Sequence, residues 1–224
     1  MTFAVPKDEL QNMIPECLSL DVYVDKWAFI AIAMVQTKDL RPKGFPKFLG
    51  NDFFLIGYRI FVRYVNQAGK RLRGLYIIKS ETDKKKMEFL GNVFTHYNYT
   101  TTDISRSTQG KYDVVSSIKS KFKVEIDTTE LNANLPSESP FSAWKDARRF
   151  AGPLPHTFTY SKGDNTVLTI LGLRQNWKPA PVKVESYQFE YLESLNLKGI
   201  KLASVFEIKN IPYEWQKGKV EQWK

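Results

Sequence analysis

Residues 53–65 read FFLIGYRIFVRYV, and they constrain the fold more than any other segment. The even positions Phe54, Ile56, Tyr58, Ile60, Val62 and Tyr64 form an unbroken apolar row. The odd positions mix Leu55 and Phe61 with Arg59 and Arg63. Successive side chains of a strand point to opposite faces, so this pattern predicts a long strand covered on both sides. Residues 27–37 make the same demand, with Ile30, Ile32 and Met34 on one face and Trp27, Phe29 and Val35 on the other. At 224 residues and 42% hydrophobic content the chain can supply a sizeable core.

Most of the remaining chain reads as strand. Residues 96–104 are rich in Thr and Tyr, which suits a pleated surface. Residues 119–127 alternate Phe122, Val124 and Ile126 against Lys121, Lys123 and Glu125. Residues 156–161 and 166–173 flank a Gly163 turn and predict a hairpin; 182–191 and 202–208 complete the set. Three helices are expected. One covers 7–14 after Pro6, one covers 83–94, and one covers 139–150 after the Pro- and Ser-rich loop 135–140. Strands lie on both sides of that loop, so residues 1–224 are read as a single domain. The class is mainly β (α+β), antiparallel, with a few peripheral helices.

Several function classes lack their signatures. No apolar run approaches the ~18 residues of a membrane-spanning helix, and the N-terminus has no basic segment leading into an apolar stretch, so the expectation is a cytoplasmic protein. Cys17 is the only cysteine, which excludes an intrachain disulfide and a cysteine zinc site. Two histidines far apart give no support to a metal centre. No Ser-His-Asp order, phosphate-cradling glycine loop or dinucleotide fingerprint is present, so no cofactor is expected. The net charge of +9 is spread through the chain without a nucleic-acid recognition motif, and a small anionic organic ligand suits it better than nucleic acid.

Chemistry is most legible in residues 74–99, GLYIIKSETDKKKMEFLGNVFTHYNY. The apolar strand 75–78 ends in Lys79. Ser80, with Asp83 three residues on, reads as a helix N-cap. Lys84, Lys85 and Lys86 come next. Neighbouring cations and burial both disfavour an ammonium, so a lysine here is a candidate amine nucleophile. Lys79 has the strand parity of Leu75 and Ile77, and Lys86 shares a helix face with Leu90 and Val93. The same lysines also suit a solvated helix start. His96, at the helix-to-strand handover, is either a general acid–base group or a helix cap. Arg59 on an inward face would need a carboxylate partner, from a ligand or from the protein.

The segments 6–21 (PKDELQNMIPECLSLD), 27–41, 40–46 (LRPKGFP), 52–64 (DFFLIGYRIFVRY), 74–99, 177–185 (WKPAPVKVE) and 211–218 (IPYEWQKG) together resemble, in order, the acetoacetate-decarboxylase-like superfamily. The resemblance is to its branch of conserved domains of unknown function. It implies a closed or nearly closed β-barrel-like fold around an internal cavity. The candidate ligand-binding residues are Arg41, Tyr58, Arg59 and Glu81, and the catalytic candidates, read from the residues themselves, are Lys79, Lys86 and His96. The Tyr-Pro-Lys-Lys motif of the true decarboxylases is absent here, as are matches to their buried-strand acid and N-terminal arginine. The resemblance leaves two main readings: a binding or processing protein for a small carboxylate or keto acid, and a Schiff-base lyase using a cavity lysine. A basic surface-binding protein is a third.

Overall fold

The two strands with apolar residues on both faces lie at the centre of an eleven-stranded sheet. The structure is a computed structural model that describes residues 1–40, 50–130, 133–174, 178–209, 211 and 213–223, without the side chains of residues 94, 174 and 213–215. In chain order it contains β1 (Thr2–Pro6), α1 (Lys7–Leu10), a 3-10 turn (Gln11–Met13), β2 (Leu18–Leu20), β3 (Trp27–Gln36), β4 (Phe54–Val65) and β5 (Arg71–Thr82). Next come α2 (Lys85–Thr95), β6 (Tyr99–Thr101), β7 (Ser105–Gln109), β8 (Tyr112–Ser117), β9 (Phe122–Asp127) and α3 (Trp144–Ala151). The C-terminal part holds β10 (His156–Ser161), β11 (Thr166–Arg174), β12 (Ala180–Pro181), β13 (Lys183–Phe189), α4 (Glu190–Ser194), β14 (Lys201–Ser204), β15 (Phe206–Glu207), β16 (Tyr213–Trp215) and β17 (Lys219–Gln222).

The large sheet runs β14-β1-β3-β4-β5-β10-β11-β16, with β2 on β4, β6 on β5 and β17 on β11. A four-stranded sheet, β13-β9-β8-β7, covers one of its faces. The apolar row of β4 packs there with Phe3, Ile30 and Ile32, and against Val115, Phe122, Val124 and Phe189 of the small sheet. On the other face α3 contributes Ala147 and Ala151 to a cluster with Phe29, Phe61 and Leu75. Farther along, Met87 of α2 joins Leu55, Tyr97, Tyr99 and Ile170. The double-sided demand read from residues 27–37 and 53–65 is thus met by a small sheet on one side and helices on the other. The pairings β5–β10 and β9–β13 both span the 135–140 loop.

Several expectations are corrected. Among the described residues no sheet closes into a barrel: β14 and β16 stand at opposite ends of the strand order, and the inner face is buried by a second sheet. Two pairings in the large sheet, β5–β10 and β5–β6, are parallel. Ser80 is not a helix cap, because β5 continues through Thr82 and Ser80 pairs with Gly57 and Tyr99. The position before α2 is Lys84, which makes no side-chain capping bond. The strand expected over 96–104 contracts to Tyr99–Thr101, and the strand expected over 182–191 ends at Phe189, where α4 (Glu190–Ser194) begins. Gly91 lets α2 lie on the sheet: a Cβ there would come within 2.5 Å of the Tyr99 ring.

Candidate functional site

A β-bulge determines which lysine meets the core. β4 and β5 pair regularly from Val65↔Arg71 to Arg59↔Ile77, then the register shifts so that Tyr58 faces Lys79. Ile78 is the extra residue. A bulge inserts one residue and exchanges the faces of the residues beyond it. Leu75 therefore packs with Phe61 under α3, whereas Lys79 and Glu81 lie on the opposite face, beside Tyr58 and Ile56. The parity assigned to Lys79 from Leu75 and Ile77 is corrected, and the bulge is what brings its ammonium to the inter-sheet core.

There Lys79 Nζ lies 3.1 Å from Glu81 Oε1. It also lies 4.7 Å from the centre of the Tyr191 ring and 5.8 Å from that of Tyr58. The two rings meet edge to face at 4.7 Å. Tyr58 is fully buried, and Glu81 is buried at 4% exposure. Tyr58 Oη and Glu81 Oε2 are both buried without a hydrogen-bond partner. Burial, with Glu81 and Tyr191 nearby, pushes the Tyr58 hydroxyl far above the ordinary tyrosine value. Burial and Glu81 also raise Tyr191.

Glu81 is tied to the small-sheet side by a row of hydroxyls. Ser120 donates to Glu81 Oε1 at 2.6 Å. Thr102 Oγ1 lies 2.7 Å from Ser120 Oγ and 3.0 Å from Ser117 Oγ. Ser117 donates to Asp103 at 2.5 Å, and that bond, aided by the Lys119 amide, holds the Asp103 carboxyl down at about 2. With the Ser120 and Ser117 protons given to the two carboxylates, Thr102 can donate to only one of the serine oxygens, so the three hydroxyls line up between a buried carboxylate and a half-buried one without forming a continuous hydrogen-bonded chain.

The other expected residues scatter. Lys86 is exposed. α2 begins at Lys85 and turns Met87 and Gly91 inward, so the face proposed from Lys86, Leu90 and Val93 is out of phase; Val93 is 54% exposed. Lys84 reaches only Asp83, at 3.8 Å. His96 is exposed in a left-handed conformation, and its amide caps α2 by donating to Asn92 O at 3.2 Å. Arg59 occupies the α-helical face, opposite Ala31, with its guanidinium folded against Gly57; a Cβ on Gly57 would stand 3.0 Å from Arg59 Nε. Arg59 Nε is buried without a partner, but it is across the sheet from Lys79. Arg41 lies outside the described residues.

Tyr191, Ser120 and Asp103 are not recognisable in the sequence. Tyr191 is placed by α4, where the sequence reads the end of a strand, and the two hydrogen-bonding residues carry no local signal. Asp21, fully buried and held by Arg63 and Arg73, escapes the sequence reading for the same reason. Among the described residues no three of His, Cys, Asp and Glu gather closely enough to hold a metal ion, and no helix is long and apolar enough to cross a membrane. Lys79, Glu81 and Tyr58 thus place a cation, a carboxylate acceptor and a phenolic donor close together.

No curated protein matches the sequence significantly. Solved structures do share the fold. Acetoacetate decarboxylase from Legionella pneumophila superposes with a TM-score of 0.57 at 14% identity, over 98% of this chain and 84% of its own. The enduracididine biosynthesis enzyme MppR with bound HEPES gives 0.55 at 9% identity, over 99% and 85%. Its complex with pyruvate gives 0.53 at 8% identity, over 98% and 86%. These likenesses establish the fold. A family profile matches residues 1–217, and on it the chain belongs to the uncharacterized conserved proteins designated DUF2071, which take the acetoacetate decarboxylase fold.

Proposed function

We propose that this protein binds a small polar organic molecule at Lys79, Glu81, Tyr58 and Tyr191, as a single-domain member of its family. The observation that carries this reading is the pair of buried, unpartnered atoms, Tyr58 Oη and Glu81 Oε2, beside one ion pair. Leaving such groups unmade costs about 1–3 kcal/mol each, a cost that persists where function requires it. A ligand with one donor for Glu81 and one acceptor for Tyr58, as in a hydroxy acid or an enolic carbonyl compound, satisfies both. Lys79 then serves the ligand's carboxylate or carbonyl oxygen. Arg59 cannot join it, being on the other face, so the anionic preference rests on Lys79 alone.

The contacts of Lys79 favour binding over Schiff-base chemistry. A carboxylate at 3.1 Å and two aromatic faces are partners for a cation. An amine that gives up its proton forfeits all three. The lysine cluster that would oppose the charge stands exposed on α2. The Schiff-base reading keeps two supports: Glu81 stands beside Lys79, where it can take the proton the amine must lose, and the structural neighbour MppR was captured with pyruvate.

A panel of keto acids and hydroxy acids, read by ligand-observed NMR with and without borohydride, separates the readings. Reversible binding that Tyr58→Phe and Glu81→Gln each weaken, with no adduct, is the expected result. A reduced adduct on the Lys79 peptide establishes the lyase reading instead. Binding undiminished in both variants places the ligand elsewhere.

A further inference from the structure

The opposite side of the large sheet carries a second set of chemistry. Arg63 and Arg73 are cross-strand partners on β4 and β5. Both grip the buried carboxylate of Asp21: Arg63 Nε donates at 2.7 Å, and Arg73 Nε bonds the second oxygen. Arg73 also donates from Nη2 to Phe150 O at 2.6 Å and stacks 4.3 Å from the centre of the Phe150 ring. A guanidinium has five N–H groups. These contacts take Nε and one Nη from each arginine, with Arg63 Nη2 also 2.7 Å from Asp21 Oδ1, and fix both in place. Their side chains remain 48% and 31% exposed, so the other N–H groups are open to a ligand.

Those groups border a cleft of about 400 Å³ lined by Tyr23, Arg63, Arg73, Asp146, Arg149 and Phe150. Arg149 also lines a second cleft of about 420 Å³, with Trp144, Lys145 and Arg148. Five cations thus meet two carboxylates, Asp21 and Asp146, around one shared arginine. Lys145, Arg148 and Arg149 make no ion pair among the described residues. Arg63 and Arg73 neutralise a fully buried acid, and the same pairing holds them in place at the wall of the cleft, with side chains still partly exposed. Planar arginine forks match phosphate oxygens in pairs, and pre-positioned ones lose little freedom on doing so.

We infer that the two clefts at α3 that share Arg149 bind a small phosphate-bearing anion, separate from the Lys79 site. Each cleft has the volume of a small-molecule site, and the charge surplus calls for a ligand with two or more negative charges.

Calorimetric titration with inorganic pyrophosphate at fixed ionic strength tests this. Saturable binding is expected. The double variant Arg148→Gln/Arg149→Gln, which touches no buried contact, should weaken it by about tenfold or more. The double variant Lys84→Gln/Lys85→Gln removes the same charge from the start of α2 and the position before it, and should change it by less than about twofold. Equal losses in the two variants reduce the effect to overall charge and overturn the assignment. So does an absence of saturable heat, or an affinity for single-stranded oligonucleotide that grows with length while pyrophosphate fails to saturate, since that describes an extended nucleic-acid surface.

Discussion

The two buried carboxylates on opposite faces of the large sheet, Asp21 and Glu81, are handled in opposite ways. Under α3, Asp21 is fully buried, yet both of its oxygens are engaged by arginines that reach solvent. Under the small sheet, Glu81 and Tyr58 are as deeply buried, yet each keeps one polar atom without a partner. The same pair of strands, β4 and β5, supplies both arrangements, and the bulge at Ile78 separates them. Asp21 has both oxygens paired within the fold, whereas Glu81 Oε2 and Tyr58 Oη are left incomplete in a packed core at a cost in stability, and the proposed Lys79 ligand rests on that difference.

The contrast breaks first at Asp21. Asp21→Asn removes the charge that two arginines share. Breaking a buried pair costs about 3–5 kcal/mol, and the access of both arginines to water lowers this to about 2–3 kcal/mol. Urea unfolding measures it. A loss under about 1 kcal/mol would mean that Asp21 does not anchor this face.

Glu81→Gln is the matching change on the other face, and the smaller loss is expected there. The amide still accepts from Ser120, and Lys79 keeps its two rings and 28% exposure. The ion pair's loss amounts to about 1–2 kcal/mol, the low end for a hydrogen bond to a charged group. If this variant proves less stable than Asp21→Asn, Glu81 belongs to the structural class and the ligand reading loses its main support.

Much of the scaffold is legible because it rests on long alternating runs. Residues 27–37 and 53–65 specify two covered strands whatever lies around them, and β9 and the β10–β11 hairpin are equally explicit. The site is less legible because it depends on exceptions to alternation. Nothing in GLYIIKSET marks Ile78 as a bulge, so Lys79 is assigned the face of Leu75 by a rule that holds only up to Ile77. Lys86 illustrates a phase error: moving the helix start from Asp83 to Lys85 exchanges Lys86 for Met87 on the buried side. Asp21 and Ser120 are single polar residues whose partners lie 42 and 39 positions away, a separation no local pattern records. Closure of a barrel is a matter of how sheet ends meet, which strand periodicity does not address.

Acid titration sharpens the comparison from the small-sheet side. Asp103 falls from an ordinary value of 3.8 to about 2 in the folded chain, chiefly through the Ser117 hydroxyl. A depressed carboxyl contributes stability above its unfolded value and loses it as pH falls through the folded one. Between pH 4 and pH 2 the unfolded chain takes up the proton first, so stability declines across that window. Asp127, held lower still by Lys111 and Thr129, adds to the same limb. Asp103→Asn should flatten the decline without abolishing it, in urea melts at a series of pH values. A double-mutant cycle with Glu81→Gln then reports whether the row of hydroxyls couples its two ends; additive losses mean that it does not.

The smallest stability change is expected from Tyr58→Phe, and it is the most discriminating. Removing a buried hydroxyl that has a partner costs about 1 kcal/mol; removing one that has none releases its desolvation penalty. Tyr58 Oη has none, and the phenyl ring of the variant keeps the edge contact with Tyr191 and the face toward Lys79. Stability should therefore hold within about 0.5 kcal/mol of the parent or rise. The alkaline limb should also change. Because the folded-state value of Tyr58 is raised, the parent loses stability as pH climbs above the ordinary tyrosine value of 10.0, and the variant loses less. Ligand affinity should fall at the same time, since the phenol is the niche's donor. A variant clearly less stable than the parent would show that the hydroxyl is paired in solution, and the contrast between the two faces would close.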